Sequence, residues 1–517
     1  MAALSLVNSG RRLLCLAALL GCALGTASKA VAQEGQMVWA THLSLVPAWF
    51  NPSEHAGSQP PWYVYFAIHD ALVKPMPGNS MTPSLAKSWS RSPDGLVYEF
   101  VLRENVKFHN GDPVTSEDVK FSFERYKGSA ATLLKSRVAA VETPDPLRVR
   151  FRLKESWPDF MIYYAMTASG AAWVLPKRYI EQVGDDGFKR APIGAGPYKF
   201  VSFKPGLELI VEANENYWRK KPSVKRHVFR SVPEELTRAA MVKNGEADVA
   251  NLVRGAIAQD LRKSPGITLK GPRLYFTNWL AFTQQWDPAS PFSKKEVRQA
   301  VSYAINRKGL IDSEFLGYAR PAGSIVPTGV QYAKAFPADA YDPAKAKKML
   351  AAAGYPNGFD GGDLIVDAGY ATIAEVVQAN LQAVGIRLRL RSLERAAYYS
   401  QWTEKKMKGV VFCILSGFEN TGTWLEQFVT PQGRGTFGVY PEITDAMAIQ
   451  AKEVDEVKRE RLLAHVQQIV NDRMMFVPIV HPTALHAVGP RVAESGFDLI
   501  DGFAYAGPYE DIRLKGK

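Results

Sequence analysis

Apolar and polar positions follow two different periods along this chain. "VYEFVL" at 97–102 and "RVRFRL" at 148–153 alternate like half-buried strands. "RLRLR" at 387–391 puts leucines on one face and arginines on the other. Elsewhere the spacing is helical and the ends are marked. In "SVPEELTRAAMVKNGEADV", Pro233 stands at a helix start and Gly245 just past its end. Asp342 and Pro343 start "YDPAKAKKMLAAAG", and Gly354 stops it. From about 343 to 415 the order is helix, strand "DLIVD", helix "AEVVQANLQAVG", strand "IRLRLRSL", helix, strand "VVFCIL". That alternation predicts a largely parallel, doubly wound sheet in the second half. The first half has more strands and fewer clean alternations. Two unequal α/β lobes follow, with a natural place for a ligand between them.

"NGDPVTSEDVKFSFER", 110–125, gathers Asp112, Glu117 and Asp118 just after His109. Asn110-Gly111 is a turn dipeptide. Thr115 and Asp118 have the spacing of a capping box, and Glu117 and Asp118 sit where a helix dipole favours negative charge. Phe121 leaves this helix on a different face from Phe123 and Arg125. A metal site built on His109 and Asp112 lacks further ligands nearby. The stretch reads as a scaffold corner.

Length and charge bound the class. A chain of 517 residues exceeds one hydrophobic core, so two or three domains are expected. At the N-terminus, Arg11 and Arg12 precede the apolar run "LLCLAALLGCALG", and small residues end in Ala30-Val31-Ala32. That is the order of a secretory leader, residues 1–32, cleaved after Ala32; "LLGC" offers an alternative in which Cys22 becomes lipid-modified. No later run approaches the roughly 20 apolar residues that span a bilayer. With the leader gone, Cys413 is the one thiol left, so the fold relies on its core rather than on disulfides. The net charge of +12 falls to +9 without Arg11, Arg12 and Lys29. The densest basic segment, "WRKKPSVKRHVFR" at 218–230, reads as a solvated face, and no nucleic-acid partner is expected.

Catalytic signatures do not emerge. "GAGP" at 194–197 lacks the third glycine of a dinucleotide loop, and no Gly-rich loop ends in Gly-Lys-Ser/Thr, so the chain is not itself an ATPase. No His-Glu-x-x-His occurs, and Ser169-Gly170 has no nucleophile elbow around it. Cys413, inside "VVFCIL", reads as a buried core thiol. No catalytic residue, metal ligand or cofactor is assigned. An exported hydrolase acting on a small polar substrate is the alternative class.

Several long motifs carry a resemblance. "LAKSWSRSPDGLVYEFVLRENVKFHNGDPVTSEDVKFSFER" (85–125), "GAGPYKF" (194–200), "NENYW" (214–218) and "PFSKKEVRQAVSYAINRKGL" (291–310) closely resemble, in order, the blocks of family 5 extracellular solute-binding proteins. "YDPAKAKKMLAAAGYPNGF", "QANLQAVGIRLRLRSLERAAYYSQ" and "MMFVPIVHPTAL" continue the match over nearly all of the mature chain. The resemblance implies the two-lobed periplasmic-binding-protein fold, type II, with an extra subdomain in the first lobe and a two-stranded hinge. Carried over, lobe 1 would be 33–277 with the extra subdomain at about 63–175, lobe 2 would be 283–480, and 486–517 would return to lobe 1. The crossings would fall near 274–282 and 477–485. It implies an exported monomeric receptor that takes a small-molecule or peptide ligand to ABC permease subunits driven by a separate ATPase, with no chemistry done on the solute.

Candidate ligand contacts are aromatic and loop residues. Trp49 and Phe50 follow the first strand, and Phe121 is carried by the capped helix. Tyr399 and Trp402 lie in "ERAAYYSQW", and Phe418, Glu419, Asn420 and Thr421 follow the buried strand "VVFCIL". Phe418 would wall the ligand at a strand's C-terminal end, where open α/β sheets bind ligands. Peptide binders of the family carry an aspartate for the peptide amine where this chain has Thr421. Their usual Asp-Pro is missing here, and an arginine of some relatives is Leu415. Glu419 or Asn420 would then supply the polar anchor.

Overall fold

The computed structural model describes residues 35–55, 61–165, 169–414, 420–433, 435–505 and 507–516; the leader lies outside them. Two mixed sheets organise the chain as two lobes. The first has seven strands in the order Thr268–Lys270, His486–Val488, Val249–Ala250, Gln36–Thr41, Arg226–Ser231, Glu208–Ala213, Tyr198–Lys204. The second has six, in the order Arg320–Pro321, Phe476–His481, Asn278–Phe282, Val410–Cys413, Phe359–Asp367, Ile386–Leu393. The chain passes from the first sheet to the second between 270 and 278 and returns between 481 and 486. These two passages touch through a bridge between Arg273 and Thr483. A separate four-stranded antiparallel sheet, Ala86–Arg91, Val97–Leu102, Arg148–Leu153 and Val138–Asp145, forms the extra layer beside the first lobe.

The expected parallel order in the second half holds for part of that sheet. Phe359–Asp367 pairs in parallel with Ile386–Leu393 and with Val410–Cys413. Asn278–Phe282 is antiparallel to both its neighbours, and Phe476–His481 and Arg320–Pro321 also pair antiparallel. The sheet is therefore mixed rather than largely parallel. Helical crossovers impose parallel pairing, whereas the two passage strands enter and leave from the other lobe and are free of that constraint. The helix foreseen at Pro233 starts two residues later, at Glu235, because the Glu234 carboxylate accepts the amides of Leu236 and Thr237 as its cap.

The long motifs turn out to be joints. Thr115 donates its amide and its hydroxyl to Asp118 Oδ2, at 2.9 and 2.8 Å. The other Asp118 oxygen takes the amide of Lys177 at 2.9 Å, tying the helix Ser116–Arg125 to the start of the helix Lys177–Arg190. His109 accepts the Gly194 amide at Nδ1 (3.2 Å), which leaves Nε2–H to donate to Gly196 O (3.0 Å). Both glycines are required there. A Cβ at 194 would lie 2.2 Å from Ile68 O, and one at 196 would lie 2.6 Å from Ile68 C.

Asp70 is the densest joint. Oδ1 accepts from the Ala71 amide (2.9 Å) and Ser84 Oγ (2.7 Å), and Oδ2 accepts from Tyr217 Oη (2.9 Å) and Trp218 Nε1 (2.8 Å). Lys74 Nζ lies 2.9 Å from Oδ1 as its ion-pair partner. Both side chains are essentially fully buried, and the ammonium also faces the Phe66 and Trp173 rings at 5.3 and 6.0 Å. Basic residues of 219–230 are likewise engaged. Arg219 bonds Glu510 and Asp511, Lys220 bonds Asp511, and Arg226 and Arg230 face Glu212 and Glu208.

Each lobe also holds a buried arginine that bonds only carbonyls. Arg238, fourth in the helix Glu235–Lys243, donates to Asn251 O, Val232 O, Pro233 O and Leu252 O at 2.7–2.8 Å. Arg298, fourth in the helix Lys295–Ala304, donates to Met474 O, Phe292 O, Ser293 O and Arg473 O at 2.7–3.0 Å. In both, Nη1 takes the carbonyls five and six residues upstream, while Nε and Nη2 take two adjacent carbonyls from a distant loop. The planar fork matches four carbonyls at fixed spacing, which an ammonium could not.

Two outcomes follow. Asp70→Asn would leave Lys74 buried without its counter-charge, and we expect the unfolding free energy to fall by about 3–5 kcal/mol in denaturant titration. The second concerns pH. Burial, the largest cause in each case, lowers His42, His69, His227 and His486 to about 3 and His109 and His481 to about 4. Their pKa is depressed on folding, so the unfolded chain binds more protons below about 6.5 and stability falls as pH drops. At pH 5.5 each such histidine costs about 1.4 kcal/mol relative to high pH. Buried Asp118, Asp248 and Glu510, raised by burial, oppose this as the pH falls further. Denaturant midpoints should therefore decline between pH 7 and 5.5; a flat profile would contradict the burial of these rings.

Candidate functional site

Strands of the two sheets end at a common cleft beside the passages between lobes. From the first sheet come His42, directly after Gln36–Thr41, and the segment 251–254, directly after Val249–Ala250. From the second come 367–370, at the end of Phe359–Asp367, and Arg395, two residues after Ile386–Leu393. The carboxyl ends of sheet strands are where α/β folds place ligand groups. Arg254, Leu252, Phe276, Glu314, Tyr370 and Thr372 are among the side chains that line a single cavity here.

Local bonding fixes these groups. Arg238 clamps the carbonyls of Asn251 and Leu252, and His486 Nδ1 faces Asn251 Nδ2 (3.1 Å) and takes the Leu252 amide (3.3 Å). Arg254 thus leaves a held loop. Its Nη1 crosses to Gly369 O at 3.2 Å, and its guanidinium lies 5.7 Å from the Tyr370 ring. Buried Asp367 takes the Gly369 amide on Oδ1 and Arg395 Nε on Oδ2, both at 2.9 Å. The cleft is electropositive at His42. Burial lowers this imidazole first, and Arg238, Arg254 and Arg395 lower it further, to about 3, so it is neutral at pH 7. Its Nδ1 is buried with no hydrogen-bond partner.

The residues singled out from sequence are placed as follows. Phe50 is buried, edge-on to Phe200 and Phe203 at 5.6 and 5.1 Å, and Trp49 packs partly buried on the same core. Phe121 packs on the small cluster of Leu175, Ile180 and Phe188, with Arg125 4.9 Å over its ring. Trp402 is buried in the second lobe, stacked on Tyr398 and edge-on to Phe437, while Tyr399 is half-buried beside Tyr398. Asn420 caps the helix Thr421–Val429 by accepting from the Gly422 and Thr423 amides, and Thr421 Oγ1 donates to Gln331 O at 2.8 Å. Phe418 and Glu419 lie outside the described residues. Thus Trp49 and Phe50 belong to one core and Tyr399 and Trp402 to another, while His42, Arg254, Tyr370 and Arg395 went unnoticed. The signal is available in the sequence: each follows a sheet strand, as Trp49, Phe50 and Phe418 do, but of the four only Tyr370 is a large aromatic.

A second contact joins the halves of the chain away from this cleft. Arg459 Nη2 meets Asp159 at 2.5 Å, with both side chains buried, and Arg459 also bonds Gln450 Oε1 at 3.1 and 3.0 Å through Nε and Nη2. Nearby, Tyr163 Oη donates to Glu426 Oε2 at 3.2 Å, and burial raises the Glu426 carboxyl. Asp159 and Tyr163 belong to the extra subdomain's side; Glu426 and Arg459 belong to the second lobe.

Among the described residues, no group of three or more His, Cys, Asp or Glu side chains could hold a metal ion. In the same residues, no helix is long and apolar enough to cross a membrane. A family model described as "Bacterial extracellular solute-binding proteins, family 5 Middle" matches residues 80–436. A glutathione-binding protein of Salmonella typhi is 29% identical over 453 residues, covering 83% of this chain and 86% of that protein. The nickel-binding periplasmic protein of Escherichia coli K12 is 26% identical over 530 residues, covering 96% and 98%. Among solved structures, the substrate-binding protein CtaP of Listeria monocytogenes superimposes with a TM-score of 0.79 at 20% identity, covering 94% of this chain and 99% of that one. The agropinic-acid complex of AgaA from A. tumefaciens R10 gives 0.72 at 25% identity, covering 93% and 99%.

Asp159→Asn should leave the Arg459 charge buried and unpaired, at a cost of roughly 3–5 kcal/mol to the described arrangement. We expect a larger radius of gyration by small-angle scattering or a lower denaturant midpoint; if neither moves, the pair contributes nothing to holding the halves together.

Proposed function

The chain belongs to family 5 of the bacterial extracellular solute-binding proteins, and we propose that it is the exported receptor of an ABC importer that captures a small polar solute between its lobes. Binding proteins of this family deliver ligands to ABC permease and ATPase components. The observation that carries the reading is the cleft at which strand ends of two sheets meet beside two paired passages. A solute held there contacts both lobes only when they are together, so its binding energy shifts an open–closed equilibrium. The closed receptor is what the permease recognises, and a separate subunit hydrolyses ATP.

Lobe 1 would comprise 33–277 with 486–517, and lobe 2 would comprise 283–480. The mature protein would be a periplasmic monomer cleaved after Ala32, or one tethered through Cys22. The solute is a dipeptide, an oligopeptide or a compound of similar size and polarity, in keeping with relatives named for glutathione and agropinic acid. Phe418 would wall it. Because the Asn420 side chain is spent on its helix cap, Glu419 becomes the polar anchor of that loop, suited to an amine.

Scattering with and without solute tests the motion, and product analysis tests the class. We expect saturable binding, a smaller radius of gyration at saturation, and no turnover of a broad hydrolase panel. An unchanged radius would contradict lobe closure, and any turnover would favour the hydrolase.

A further inference from the structure

Two arginines from opposite lobes flank one glycine. Arg254 Nη1 is 3.2 Å from Gly369 O, and Arg395 Nη2 is 3.8 Å from the point where a Cβ on Gly369 would stand. Each guanidinium has five N–H donors. Arg254 uses one on that carbonyl and Arg395 uses Nε on Asp367, which leaves further N–H donors on both exposed side chains. The Asp367 carboxylate, which takes Gly369 N and Arg395 Nε, offsets one of these two charges and leaves that of Arg254. Glu235 is half-buried and bonded to the backbone amide of Arg254, and the carboxylate on the cavity wall, Glu314, accepts from Thr372 Oγ1 at 3.4 Å. Like charges brought together by lobe approach repel unless an anion stands between them.

We propose that Arg254 and Arg395 clamp a carboxylate of the solute, so that an acidic solute draws the two lobes together; this rests on the receptor reading above. The surroundings fit that ligand. The helices Gly255–Lys263, Ala371–Gln382 and Arg395–Thr403 begin beside Arg254, Tyr370 and Arg395, and none has an acidic residue in its first turn. The uncapped amide ends of the first two add positive potential there, whereas the third is capped by Glu394, whose Oε2 accepts from the Ala397 amide at 3.4 Å. His42, neutral and with Nδ1 unpartnered, adds a group that can donate without an added charge. Leu252, Phe276 and Ile373 give the cavity an apolar wall, and the Arg254 and Arg395 side chains beside it are exposed, open to an incoming ligand. The carboxylate bridges the lobes: one guanidinium comes from each, so neither lobe alone binds it fully.

The test uses the full mature chain and a thermal-shift panel of metabolites: organic acids, amines, neutral sugars, and dipeptides as free acids and as C-terminal amides. Stabilising compounds should each carry a carboxylate, and amidation or esterification of that group should abolish the shift. In calorimetry the best acid should bind roughly ten- to a hundredfold more weakly to Arg254→Gln and to Arg395→Gln. A stabilising compound with no acidic group, or a shift that survives amidation, overturns the clamp and leaves the receptor reading standing. Unchanged affinity in both variants overturns it as well. If no compound of any class binds, the receptor reading itself falls, and the clamp with it.

Discussion

A single buried carboxylate decides how the extra subdomain sits on the first lobe. Asp70 lies where the chain leaves the lobe for the subdomain, and its backbone carbonyl takes the amide of Val174, where the chain comes back. Its two oxygens gather a hydroxyl and an amide from the subdomain's base, and a phenol and an indole from the lobe. The negative charge is tolerated because every lone pair is used and Lys74 stands against it. A hydrophobic contact at this place would hold the parts together without fixing their angle. Directional bonds from three segments fix both.

Charge is used the opposite way inside each lobe. Arg238 and Arg298 are buried cations satisfied entirely by carbonyl dipoles. Each clamps the approach to its own helix against a remote loop. In the first lobe that loop runs on to Arg254; in the second it runs directly into Phe476–His481, the strand that returns to the first lobe. The same device on both sides means that each lobe is stiff up to the point where the chain crosses over. The lobe closure proposed above would then bend the chain in the short paired passages near 273 and 483.

Much of this scaffold was legible because its rules are local. A capping box, a turn dipeptide and an alternating strand each involve residues a few positions apart, and Thr115–Asp118, Arg387–Arg391 and Asp342–Pro343 behave as their spacing dictates. The partners of the motifs were not legible. Nothing near "NENYW" announces Asp70, and nothing near "FHNGDP" announces Gly194 and Gly196, since the contacts span 85 to 148 positions. Sheet direction failed for the same reason, because passage strands take their polarity from the other lobe. The cleft was the least legible part. Its polar groups are single residues after strands, with no motif around them. Large aromatics drew attention instead, and Phe50 and Trp402 are buried because their area is best used in a core.

The order of strands in the first sheet has a consequence for how the protein comes into being. Thr268–Lys270 reaches the sheet only through His486–Val488, which also pairs with Val249–Ala250. A chain made N-terminus first therefore holds an incomplete first sheet until almost its last residues are out. The second sheet takes its own internal strand, Phe476–His481, from almost the same stretch. Both sheets therefore close late, and the first waits, with the bare flank of Val249–Ala250 unpaired, for a strand more than two hundred residues downstream.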